Sequence, residues 1–151
     1  MIGTIRGFVL NKDRVYCKAD DTGEVLKFVV DGLKDKIEDY IPSLAIGFYK
    51  DKELIGGALI NAIRPGRDCW CSIYTNSPLW GKRHILRHFF SVVFCLIEAK
   101  RCSVFVSVSN QKSYKLGLRL GFKKEGILRQ YRDNGEDCYV MGMLKKECIW
   151  L

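Results

Sequence analysis

Long apolar runs are missing from this chain. No stretch reaches the roughly 18 to 20 apolar residues that span a bilayer. The opening Met1-Ile-Gly-Thr-Ile-Arg-Gly lacks the basic n-region and long apolar h-region of a secretory signal. A cytoplasmic protein with no membrane partner is therefore expected. Proline is scarce: there are 3, and Pro42, Pro65 and Pro78 each fall at a boundary between segments. Repeats, linkers and low-complexity segments are absent, so a single domain over residues 1–151 is expected, long enough to bury its own core. Histidine is rarer still, with 2 residues, His84 and His88, four apart on a helical pattern. That spacing suits a metal, but no third ligand is visible beside them and no metal site is expected. Blocks of like charge are also absent, although 25 Lys and Arg against 17 Asp and Glu leave a net charge of +8. This balance favours a phosphate-bearing cofactor, a nucleic acid or an acidic protein surface without choosing among them. The interleaving of aromatic and basic residues that stacks bases is missing, which leaves net charge as the only support for a nucleic-acid partner.

Cysteine is plentiful. The 7 residues Cys17, Cys69, Cys71, Cys95, Cys102, Cys138 and Cys148 are odd in number, and several lie inside apolar segments. They read as unpaired, small buried hydrophobes of a reducing compartment. Cys69-x-Cys71 has the spacing of neither a zinc knuckle nor a redox pair.

The segments follow from periodicity. Ile2 to Leu10 suits a strand, and Asp20-Asp-Thr-Gly23 is a turn signal. Glu24 to Val30, rich in β-branched and aromatic residues, reads as a strand, broken by Asp31-Gly32. Leu33 to Tyr40 reads as a short amphipathic helix. A meander follows, with strands over Leu44–Tyr49, Leu54–Ile60 and Asp68–Tyr74. Ser77-Pro78 opens the longest helix, since Ser is a fitting N-cap and Pro a fitting first residue. Its apolar face carries Ile85, Phe89, Val93 and Leu96. The last third of the chain gives a strand over Cys102–Val108, a helix capped by Asn110 and stopped by Gly121, a strand over Gly126–Tyr131, and a closing strand over Asp137–Lys145. A mixed sheet with helices on both faces accounts for this order, an α/β (α+β) class.

The strand, helix, glycine stop and strand from Cys102 to Tyr131 resemble the GNAT superfamily of N-acetyltransferases. The resemblance rests on Asn110 at a helix start, Ser113 three residues on, and Gly121-Phe122 after the helix. Glu125-Gly126-x-x-Arg129, Tyr139-x-Met141 and Glu147-x-x-Trp150 are similar to the ribosomal-protein and N-terminal acetyltransferase branch, and small bacteriophage-encoded members are the nearest likeness. The resemblance implies a central sheet splayed between the strands ending near Tyr74 and Val108. It also implies acetyl-coenzyme A as cofactor and a protein amine, on a lysine or an N-terminus, as acceptor.

The same resemblance points to a cofactor site of Ile73, Tyr74, Trp80, Gly81, Lys82, Arg83, Asn110 and Ser113, and to Arg129 as a substrate contact. The family's phosphate-binding glycine pattern survives only at Gly81, with Pro78 and Arg83 in its other positions. Lys82, Arg83 and Arg87 supply cations beside it. The position of the family's catalytic tyrosine, seven after Asn110, is Gly117. Tyr114 and Tyr139 are the substitutes available as general acid. The bases on offer are His84, His88, Glu38 and Asp39, of which His84 lies nearest the junction. The departures at Gly117 and in the glycine pattern keep open two other readings. One is a binding module of the same fold that has lost catalysis and docks on a protein of a phage host. The other is a nucleic-acid-directed modifier.

Overall fold

A computed structural model describes residues 14–151. The expected strand over Ile2–Leu10 lies outside the described residues. Seven strands form one sheet in the order β1-β2-β3-β4-β5-β7-β6. They are β1 (Val15–Asp20), β2 (Ser43–Lys50), β3 (Glu53–Arg64), β4 (Asp68–Thr75), β5 (Arg101–Ser107), β6 (Lys123–Leu128) and β7 (Cys138–Leu144). Every neighbouring pair is antiparallel except β4 and β5.

Helix α1 (Glu24–Leu33) covers one face, closing a small core of Val25, Val29, Val30, Ala45 and Leu59. The expected strand over Glu24–Val30 is thus a helix. Its apolar residues Val25, Leu26, Val29, Val30 and Leu33 recur at helical spacing, which outweighs their β propensity. The turn before it acts as a cap: the Val25 N–H donates to Asp20 Oδ2 at 3.1 Å and the Thr22 hydroxyl to Asp20 Oδ1 at 2.7 Å. The helix expected over Leu33–Tyr40 shrinks to a 3-10 turn at Ile37–Tyr40.

The other face carries α2 (Arg83–Ser91), continued by a π-helical segment at Val92–Leu96, and α3 (Gln111–Leu120). Ile85, Phe89 and Val93 of the expected apolar face, with Phe90 and Phe94 beside them, are buried in one core with β-strand residues including Phe48, Ile60, Met141 and Met143, whereas Leu96, expected on that face, is exposed because the π-helical turn shifts the helical phase there. Ser77-Pro78 does not open this helix directly. Ser77 caps a separate 3-10 turn over Pro78–Gly81, and α2 begins five residues later than the capping signal suggests. Gly121 ends α3 with φ 109°, a left-handed cap that glycine adopts without steric cost. The strand expected over Gly126–Tyr131 runs instead over Lys123–Leu128, because Arg129 and Gln130 form a turn. No helix among the described residues is long and apolar enough to cross a membrane.

Candidate functional site

The parallel junction of β4 and β5 is short. Asp68 faces Arg101, Cys69 faces Cys102 and Trp70 faces Ser103, and pairing then stops. Beyond it, β4 runs on to Thr75 and β5 to Ser107 without a ladder between them. The two strands part at the centre of the sheet, as expected. Backbone N–H and C=O groups along such an edge need partners from elsewhere, so the gap can hold an extended chain bearing amides.

From the ends of β4 and β5 the chain leads on to α2 and α3. Asn110 caps α3 by accepting the Ser113 N–H at 3.1 Å. The start of α2 has Lys82 at the N-cap position with no side-chain cap, so the first-turn N–H groups of Arg83 and His84 point outward with the positive end of the helix dipole. A Cβ built on Gly81 meets nothing within 4 Å, so neither packing nor a positive φ demands glycine there. The Arg83 guanidinium lies 5.7 Å from the Trp150 ring centre, and no ion pair joins Arg83 or Arg87 to a carboxylate among the described residues. Open backbone, uncapped N–H groups and cations together fit a diphosphate.

Tyr114 on α3 and Tyr139 on β7 come together, with ring centres 4.7 Å apart. Tyr139 faces Val106 near the end of β5. Gly117, one turn below Tyr114, faces Met141: a Cβ there would stand 3.1 Å from the methionine sulfur and methyl. A side chain at 117 would need the Met141 end to give way by a few tenths of an ångström.

Ile73 is half-buried and packs toward the large core. The other expected site residues separate from this group. Trp80 is 5% exposed and stacks on Phe48 at 5.8 Å, so its side chain belongs to the core. Tyr74 turns its ring to the opposite face, against Phe28 and over Gly32, where any Cβ would strike the ring. His84 places Nε2 3.0 Å from the carbonyl of Val15 on edge strand β1. That pins α2 to β1, about five strand spacings of about 4.8 Å from Tyr139 on β7. His88 Nε2 is buried with no hydrogen-bond partner among the described residues. Arg129 lines a shallow cavity of about 580 Å³ with Ile127, Leu128, Gln130 and Asp137.

The α1 face of the gap holds groups that periodicity does not single out. Trp70 stacks on Phe105 across the strand junction at 4.1 Å, and Phe105 meets Tyr131 at 4.7 Å. Asp35 accepts a hydrogen bond from the Tyr40 hydroxyl at 2.5 Å and is paired with Arg132, while Lys36 meets Asp133 at 3.1 Å. These contacts tie the segment after α1 to the β6–β7 loop. Burial and the Asp35 carboxylate hold the Tyr40 phenol well above its ordinary value, so it stays protonated. Asp35 and Arg132 are 97 residues apart, which leaves no local signal in the sequence.

No protein-family model matches the chain, and no curated protein matches it in sequence. Solved structures do. A single-residue mutant of the spermidine N-acetyltransferase SpeG from Vibrio cholerae superposes with a TM-score of 0.71 at 17% identity, over 93% of this chain and 98% of that one. Glutamate-to-glutamine mutant forms of the spermidine/spermine N-acetyltransferase SpeG from the same organism give 0.69 at 17% identity, over 90% and 96%. A candidate acetyltransferase from T. thermophilus gives 0.61 at 23% identity, over 73% and 63%. The chain has the GNAT fold. The Trp80 side chain, the His84 side chain and the Tyr74 ring lie away from the gap. The identities are too low to carry over an acceptor.

Proposed function

We propose that this protein transfers an acetyl group from acetyl-coenzyme A to an amine of a polypeptide. The observation that supports acetyl transfer is the unladdered parting of β4 and β5, with the uncapped, cationic start of α2 following β4 in the chain. In this reading the first-turn N–H groups of α2, with Lys82, Arg83 and Arg87, hold the diphosphate, and the β4 edge around Ile73 holds the pantetheine amides. Bound acetyl-coenzyme A supplies a thioester whose carbonyl carbon an amine can attack. The β4 edge also offers N–H groups to the developing oxyanion. The Tyr114 hydroxyl would give a proton to the sulfur as the C–S bond breaks and regain one from the proton that the amine loses, with Tyr139 packed against its ring to hold it in place. Positioning of the two reactants does the remaining work.

The acceptor would come from the α1 face, over the Asp35–Arg132 tie. Support for a polypeptide acceptor is the edge strand β6, whose end exposes Ile127, Leu128 and, just beyond, Tyr131. The apolar end of a strand that is an edge among the described residues suits an extended peptide better than a small polyamine.

Calorimetric titration with acetyl-coenzyme A tests the cofactor half. Arg83→Glu should weaken binding at least about tenfold, and Lys52→Glu, in the β2–β3 turn, should leave it unchanged. Equal binding by Arg83→Glu and the parent would remove the diphosphate site from α2. Mass spectrometry of peptide mixtures and spermidine incubated with enzyme and acetyl-coenzyme A tests the other half. Acetylated spermidine without acetylated peptide would move the acceptor to small polyamines.

A further inference from the structure

The thiols of Cys69, Cys71 and Cys102 form a cluster in which all three sulfurs lie within 4.8 Å of one another. The Cys102 and Cys71 sulfurs are 3.1 Å apart. Strand geometry assembles it: Cys69 and Cys71 are two apart on β4 and share a face, and Cys102 is the direct partner of Cys69 on β5. Cys71 is also the first residue of β4 past the last paired position, so the cluster sits where the strands begin to part. All three side chains are buried, facing the large apolar core.

We propose that this thiol triad is a binding site for a neutral trivalent thiophilic oxyacid, with arsenous acid as the representative ligand. Thiolate sulfur is a soft donor and selects soft centres. A three-coordinate centre with bonds near about 2.3 Å spaces its sulfurs by about 3.4 to 4.0 Å, from pyramidal to planar, within the spread of the cluster. Charge decides among soft centres. Three thiolates on a monovalent or divalent cation leave net negative charge in an apolar site, which is costly without a paired cation. The guanidinium of Arg101, the residue before Cys102, is already held by Glu125 at 2.5 Å and by Ser103 at 3.0 Å. Zinc would also want a fourth ligand, and the cluster has none among the described residues. A trivalent centre leaves no charge. Arsenous acid enters uncharged. Three S–H and three As–O bonds break, three As–S bonds form, and the released protons and hydroxyls leave as three waters. Arsenic stays trivalent, so no oxidant or reductant is needed. The parted strands beside Cys71 provide the approach.

The test incubates the reduced full-length protein with arsenite and reads native mass spectra and arsenic X-ray absorption. The expected result is one arsenic per chain, with a mass gain of arsenic less three hydrogens and a first shell of three sulfurs and no oxygen. Cys95→Ser/Cys148→Ser, which removes the more accessible thiols, should bind as the parent does. Cys71→Ala and Cys69→Ala should each weaken binding at least about tenfold, with folding checked by circular dichroism. The parent's absorption spectrum and the double serine variant stand even if a triad variant fails to fold. No arsenic at millimolar arsenite, a shell containing oxygen, or loss of binding in Cys95→Ser/Cys148→Ser would overturn the assignment.

Discussion

The Nε2 atom of His88 is buried without a hydrogen-bond partner among the described residues, and burial pulls its pKa below the ordinary 6.5. The unfolded chain carries an ordinary imidazole, so it takes up a proton near pH 6.5 while the folded chain resists. Below that pH the unfolded state binds more protons, and stability falls as pH drops from about 6.5 toward the folded value. The melting temperature should therefore decline between about pH 7 and about pH 5, before the Asp and Glu carboxylates titrate. His88→Leu should flatten that decline, and an unchanged slope would show that another group titrates there. His84, four residues away, meets the Val15 carbonyl instead. Sequence shows the two histidines as an equivalent pair, and only their tertiary surroundings separate them. Gly117 shows the same limit. The glycine at this position is legible in the sequence, whereas the close approach of Met141 to it comes from a strand 24 residues on.

At the scale of elements, the segment after α1 is fastened to the β6–β7 loop by Asp35. The side chains of Asp35 and Arg132 are 13% and 29% exposed, so the pair lies between the exposed and fully buried cases. Breaking it with Asp35→Ala should cost about 2 to 3 kcal/mol. The loss should be local at first: amide exchange should rise over Arg129–Asp137 and over the Ile37–Tyr40 turn, while β2 and β3 stay protected. Uniform exchange across the chain would show that the tie only supports global stability. Elements with strong helical periodicity are legible in the sequence, α2 and α3 above all, as are the hairpin strands with turn residues between them. Helix α1 is not, because Val25, Phe28, Val29 and Val30 suit a strand by type, while their burial against β3 requires the helical period. The start of α2 stands away from its apparent signal because a serine cap followed by proline serves a single 3-10 turn as well as a helix.

For the whole molecule, the parted strands leave the centre of the sheet incompletely bonded, and a ligand that bridges them should stabilise the cooperative unit. At a hundredfold excess over its Kd, acetyl-coenzyme A should add about 2.7 kcal/mol. For a chain of this size that raises the melting temperature by about 5 to 11 °C. No shift at millimolar cofactor would favour the reading of this fold as a binding module without catalysis. Sequence by itself determined the class of fold, the strand-and-helix order of its second half, the Asn110 cap and the Gly121 stop. Those features are local, since periodicity, capping and turn chemistry act within a few residues. Tertiary structure alone decided which side chains meet. It sent Trp80 into the core, His84 to the β1 edge and the Tyr74 ring to the far face. It brought Tyr114 to Tyr139, Asp35 to Arg132, and Cys102 to Cys69 and Cys71. Such pairings depend on strand register and on which face each residue takes, and both are set by packing between segments far apart in the chain.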